Sequence, residues 1–213
     1  MDENTLVRQV FNELAHLHEC GFHNHNWFSN ARALVDKYQI EVNSKQEVFK
    51  NLTRNTLTSN FIYEWFRDIH DSDKNPIART YKLFKLSYGM EPYLNNINNF
   101  KHRKALTKLR TSTHPLKIEC DRHQSVIPDI NARTCPICGD VETEIHFIVT
   151  CPLYAPERDH FFNKIGLNNE TMRNSIPLDI FCYIMNIDQC HHHELPCYIY
   201  KCFNKRQDSI ESM

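Results

Sequence analysis

Between positions 135 and 151 the sequence reads Cys-Pro-Ile-Cys-Gly-Asp-Val-Glu-Thr-Glu-Ile-His-Phe-Ile-Val-Thr-Cys, and this stretch constrains the fold more than any other. Cys135 and Cys138 enclose two residues, His146 follows after seven more, and Cys151 after a further four. Three thiolates and one imidazole so spaced suit tetrahedral Zn²⁺. The fold must therefore bring four side chains to one point. Pro136 fixes one φ inside the first turn, and Gly139 stands where the chain leaves it, which predicts a positive φ there. Residues 142 to 149 read as a short helix that carries His146 and turns Ile145, Ile148 and Val149 inward, with Asp140, Glu142 and Glu144 near its positive end. Pro152 stops that helix, so Cys151 can bend back toward the first two cysteines. A zinc ion with four protein ligands keeps no open position, which predicts a scaffold and not a water-activating centre.

The rest of the chain predicts helices. Only four of 213 residues are glycine, and apolar residues recur at three- and four-residue spacing. Leu6, Val10, Leu14 and Leu17 mark a helix ending at Gly21; Trp27, Phe28, Ala31, Leu34, Val35 and Tyr38 mark a second. Ser44 and Glu47 form a capping box for a third and longest helix, whose broad apolar face from Val48 to Ile69 reads as core. Further helices begin at Pro156 and Pro177, and a last one runs from Leu195 to Arg206, with Tyr198, Cys202 and Phe203 packed and Lys201, Lys205 and Arg206 exposed. The expected fold class is mostly α: an irregular helical domain with a small embedded Cys-Cys-His-Cys zinc knuckle. Residues 1–94 form the expected helical region, 95–165 the basic helix with the knuckle, and 166–213 the C-terminal helices that pack on the rest. Two other clusters, His16, His18, Cys20, His23 and His25, and Cys190, His191, His192, His193, Cys197 and Cys202, have metal-like composition, but neither completes a known ligand spacing.

Net charge is −1, so only the distribution of charge points to a partner. From Pro92 through Ile118 there is no acidic residue, while Lys101, Arg103, Lys104, Lys108, Arg110 and Lys117 fall in the same stretch. Together with Arg133 these predict phosphate contacts, hence a nucleic-acid partner, RNA or DNA, read without strong sequence preference. The competing readings are a solvated helix face and a surface that docks on an acidic protein. Asp71 and Asp73 lie in a polar loop, unlike the buried carboxylate pairs that hold catalytic Mg²⁺, and no Ser/His/Asp constellation is visible, so no enzyme is expected. No apolar run is long enough to span a membrane. The acidic opening Met-Asp-Glu-Asn-Thr and an odd count of nine cysteines predict an intracellular protein, nuclear or cytoplasmic, with reduced thiols.

A series of landmarks appears in fixed order. Arg79-Thr-Tyr-Lys-Leu-Phe-Lys85 is followed by Gly89-Met-Glu-Pro-Tyr-Leu94, by Arg103-Lys-Ala-Leu-Thr-Lys-Leu-Arg110, by His114, Ile118-Glu119 and Arg122-His123, by the Cys/His site, and by Cys151-Pro-Leu-Tyr154. This order resembles the C-terminal segment of animal non-LTR (LINE-type) retrotransposon polyproteins, which carries the reverse-transcriptase zinc-binding domain. The similarity covers most of the chain, strongly over residues 79–160, weakly before residue 44, and again at Tyr198-Ile-Tyr-Lys-Cys-Phe203. It implies Zn²⁺ on Cys135, Cys138, His146 and Cys151, and a role beside the polymerase in holding template RNA or target DNA. The family's polymerase uses adjacent aspartates, and this sequence has no adjacent aspartate pair; the endonuclease domain is absent too. The chain thus resembles a detached tail, either a remnant or a retained, non-catalytic binding module.

Overall fold

The computed structural model describes residues 6–22, 26–40, 46–167, 170, 174–187 and 193–213, with the side chains of Val7, Leu52 and residues 46–50 outside the description. His23, His25, the Ser44 cap, and Cys190, His191 and His192 therefore lie outside the described residues, as do the Val48 and Phe49 side chains. Among the described residues there are ten α-helices: α1 (Leu6–Glu19), α2 (Trp27–Lys37), α3 (Gln46–His70), α4 (Tyr81–Phe84), α5 (Tyr93–Asn96), α6 (Phe100–Arg110), α7 (Lys117–Cys120), α8 (Ala155–Lys164), α9 (Pro177–Met185) and α10 (Glu194–Glu211). Among the described residues there is no strand, only one antiparallel bridge between Thr134 and Val141. The mostly α class with an embedded Cys/His knuckle is what the molecule has. None of these helices is long and apolar enough to cross a membrane.

The chain divides into two compact units, Met1–Trp65 and Phe66–Met213. The division falls inside α3, and the borders expected near residues 94 and 165 both lie within the second unit. In the first unit Asn26 caps α2, its side chain accepting the Ser29 amide at 2.9 Å. Phe11, Phe28 and Trp27 form an aromatic cluster with ring centroids 5.2–6.1 Å apart. Among the described residues, Ile40 is the one buried apolar side chain of this unit. That corrects the expectation for α3: Phe61 is 52% exposed, and Leu57 and Trp65 are half-buried. The face is apolar but too broad for α1 and α2, its two short neighbours, to cover.

The second unit holds the core. Asn99 caps α6 by accepting the Lys101 and His102 amides, and Pro156 and Pro177 sit in the first turns of α8 and α9, where a missing N–H costs nothing. α10 packs along α6 and α8. Leu106 and Leu109 of α6, Phe161 of α8, Phe181 and Ile184 of α9, and Tyr198, Ile199 and Cys202 of α10 are buried in one cluster with Phe147, Ile148 and Tyr154 from the knuckle segment. Phe161 stacks on Tyr198 with ring centroids 4.8 Å apart, and Phe147 stacks on Phe203 at the same distance. The knuckle is thus built into the core.

Candidate metal centre

The site starts as a tight β-like loop. Thr134 bridges Val141, the Cys135 amide donates to the Asp140 carbonyl at 2.7 Å, and the Gly139 amide donates to the Cys135 carbonyl at 3.0 Å. Gly139 leaves this loop at φ +83°, the left-handed region its position predicts. The Thr143 hydroxyl then accepts the His146 amide at 3.0 Å and starts the helical turn.

That turn is not α-helical. Residues His146–Thr150 form a π turn, closed by the Cys151 amide donating to the His146 carbonyl at 2.8 Å. In an α-helix five residues advance about 1.4 turns, which would set Cys151 on the far side of the axis from His146. The wider turn brings both ligands to one side. Single π turns of this kind recur where a side chain must be re-aimed.

The four ligand atoms of Cys135, Cys138, His146 and Cys151 all lie within 4.8 Å of one another. Tetrahedral zinc with Zn–S bonds of about 2.3 Å needs edges of about 3.8 Å, so the set fits after sub-ångström to one-ångström closure. Cys138 Sγ lies 3.3 Å from His146 Nε2. The other ring nitrogen, Nδ1, lies 3.2 Å from Thr150 Oγ1 and 3.9 Å from the Asp140 carboxylate, which orients the imidazole with Nε2 toward the thiols. Burial pushes the Cys135 thiol up and raises Cys151 to about 12, the neighbouring Cys135 and Cys138 adding to it; burial lowers His146. Cys135 and Cys151, both buried and side by side, cannot ionise together without a cation, and a metal that binds them displaces their protons. No other group of three or more His, Cys, Asp or Glu among the described residues can hold a metal ion. His16 and Cys20 approach to 3.7 Å with no third ligand among the described residues, and Cys202 is buried in the core beside Tyr198.

Two acidic residues of the knuckle face inward: Glu142 and Glu144 are 1% and 0% exposed, and an arginine offsets the charge of each. Glu142 accepts two hydrogen bonds from Arg206, at 2.7 and 2.8 Å, and the Lys117 amide at 2.6 Å. Glu144 accepts from Arg79, from His114 at 2.8 Å and from Ser112 at 3.1 Å. Burial pushes the Glu144 carboxyl up, but His114 and Arg79 outweigh it and hold it below the ordinary carboxylate range. Arg79 also donates to Glu119 at 2.9 Å, tying the segment before α4 to both α7 and the knuckle. Arg206, expected at the surface, is 5% exposed because its partner is inside.

The basic residues separate into two groups. Arg110 is buried on the inward face of α6 with Leu106 and Leu109; it donates to the Met185 carbonyl at 2.8 Å and to Glu91 at 2.7 Å, with its guanidinium 4.3 Å above the Phe84 ring. Arg133 is buried too, donating to the Ile118 and Pro128 carbonyls. Neither can reach a phosphate, and both leave the predicted nucleic-acid set. Lys117 pairs with Asp121 at 3.5 Å. Arg103 remains on the surface side, donating to the Ile97 carbonyl at 2.8 Å. Lys101, Lys104 and Lys108 form no ion pair with any described residue and border a groove of about 210 Å³ between α6 and α10. Its other wall carries Tyr200, Phe203 and Asn204; the sequence reading placed Phe203 among the packed residues and did not single out Tyr200 or Asn204, whose i, i+3, i+4 spacing with Phe203 on the last helix was the available signal.

Comparison with known protein-family models, with curated proteins and with solved structures finds no match.

Proposed function

We propose that the protein is a zinc-stabilised, non-catalytic module that binds nucleic acid, RNA or DNA, with little sequence preference. The observation that carries this reading is the row Lys101, Lys104 and Lys108, which forms no ion pair with any described residue, while Arg79, Arg110 and Arg206 of the same unit are paired with carboxylates. Phosphate is the anion such a row fits, because it offers a repeating charge along a line. The role of the metal is structural: three thiolates and one imidazole favour Zn²⁺ and leave it no free position. The resemblance to the segment that follows a LINE-type reverse transcriptase supports the same reading, and the proposal includes an intracellular setting, nuclear or cytoplasmic, in which thiols stay reduced.

The test measures zinc and binding on the same preparation. About one zinc per chain is expected by elemental analysis, and labelled RNA and duplex DNA should bind with log–log salt slopes of about −2 and about −3, as three phosphate contacts require. Changing Lys101, Lys104 and Lys108 together to Ala should flatten both slopes. A wild-type slope near zero overturns the reading, and equal competition by polyglutamate would favour an acidic protein as the partner. Arg110→Ala serves as a control for stability, since Arg110 is inside and its loss should leave the slope unchanged.

A further inference from the structure

We infer that the groove between α6 and α10 takes single-stranded nucleic acid, with a base entering the recess to stack on Tyr200 while the backbone follows the lysine row. This inference rests on the nucleic-acid reading above and names the strand form it would take. The groove is a recess between two packed helices, not a protruding edge. Lys101, Lys104 and Lys108 stand at i, i+3 and i+7 along one rim, about 10 Å end to end, the axial length of about three nucleotides of a stacked strand. No carboxylate lines the groove.

Aromatic rings occupy the places a base would need. Tyr200 is half-buried, with its ring 5.2 Å from the His102 ring, and Phe203 is held behind it by stacking on Phe147 in the core. That anchoring keeps the wall rigid, so little ordering is needed on binding. At the start of α6 Phe100 is 64% exposed, with the Lys104 ammonium 5.9 Å and the Arg103 guanidinium 6.0 Å from its ring. Cations interleaved with accessible rings are the arrangement that binds single strands, where every base has a free face. In a duplex the base faces are stacked on one another and only edges meet the grooves, so Tyr200 and Phe100 would have nothing to stack on. A duplex could use the lysines alone.

Fluorescence anisotropy with the full chain, zinc-loaded, tests this with labelled oligothymidylate and oligouridylate of about 20 nucleotides, longer than a single site, and a blunt duplex of equal length. Tighter binding of the single strands is expected. Tyr200→Ala should weaken single-strand binding about tenfold, leave duplex binding unchanged, and be rescued by Tyr200→Phe, which keeps the ring. Lys104→Ala should weaken both. Zinc content and far-UV circular dichroism show whether Tyr200→Ala folds, and Phe100→Ala, at an exposed position, replaces it if not. Duplex bound as tightly as single strand, or ring removal without effect on single-strand binding, overturns the strand assignment and leaves the phosphate reading standing. Failure of the wild type to bind any of the three overturns both.

Discussion

Arg206 grips Glu142 in a bidentate pair, Nε to Oε1 at 2.7 Å and Nη2 to Oε2 at 2.8 Å, across 64 residues of sequence. The pair fastens the last helix to the knuckle in the interior, where neither charge reaches water. Burial alone would lower the Arg206 pKa, but Glu142 raises it above the ordinary arginine value. Removing one partner strands the other, at a cost of about 3–5 kcal/mol. Glu142→Leu and Arg206→Met should each lower the urea midpoint strongly, and the double variant should lose less than the sum. Additive losses would show that the two side chains act independently.

Metal removal should reach well beyond the knuckle. From the sequence, the knuckle looks like a short unit dependent on zinc, while the long helix from Ser44 to Ile69 looks far less dependent on it. In the structure Phe147, Ile148, Val149 and Tyr154 are buried with Phe161 and Ile199 in one cluster. Apparent zinc-binding energies of about 10–16 kcal/mol match or exceed the whole stability of a domain, about 5–15 kcal/mol. Cys138→Ser or a strong chelator should therefore expose amides in residues 133–152 and also in α8 and α10 to hydrogen exchange. Loss of protection confined to residues 133–152 would show that the knuckle is separable after all.

Acid should weaken the second unit through its buried carboxylates. Burial pushes Glu119 up, but Arg79 and Arg122 outweigh it and hold it below its ordinary value, as His114 and Arg79 do for Glu144. A carboxyl depressed in the folded state stabilises above its unfolded pKa, about 4.3, and that contribution is lost as pH falls through the lower folded value. Metal release on acidification affects wild type and Glu119→Gln alike. The difference in urea midpoint between the two should be constant above about pH 5 and shrink below about pH 4. A difference that does not change with pH would place Glu119 outside the titrating set.

Tyr154 offers a gain. Its hydroxyl is buried and makes no hydrogen bond among the described residues, while its ring packs edge-on against Phe147 with centroids 4.8 Å apart. Burial drives its pKa well up. An unsatisfied buried hydroxyl costs about 1–3 kcal/mol. Tyr154→Phe keeps the ring and removes that cost, so the urea midpoint should rise with zinc content unchanged. A fall would reveal a partner for the hydroxyl in solution.

Helix placement and the grouping of the four Cys and His side chains followed from local sequence because both depend on residues close together in the chain. Cys135, Cys138, His146 and Cys151 meet as their spacing predicts, Gly139 takes its positive φ, and Pro156 and Pro177 open helices as expected. What sequence alone could not decide is which charges face inward. Lys101 and Arg110 look alike in a basic run, yet one borders a groove and the other is clasped by Glu91 and the Met185 carbonyl; that choice depends on residues 19 and 75 positions away. Glu142 likewise reads as a surface acid until Arg206 is brought to it. The π turn that aims Cys151 was equally hidden, because closing a wider turn depends on how Phe147 and Ile148 seat in the core and not on local propensity. Pairwise charge burial and side-chain aim are set by tertiary neighbours, since only a specific partner offsets the cost of taking a charge out of water.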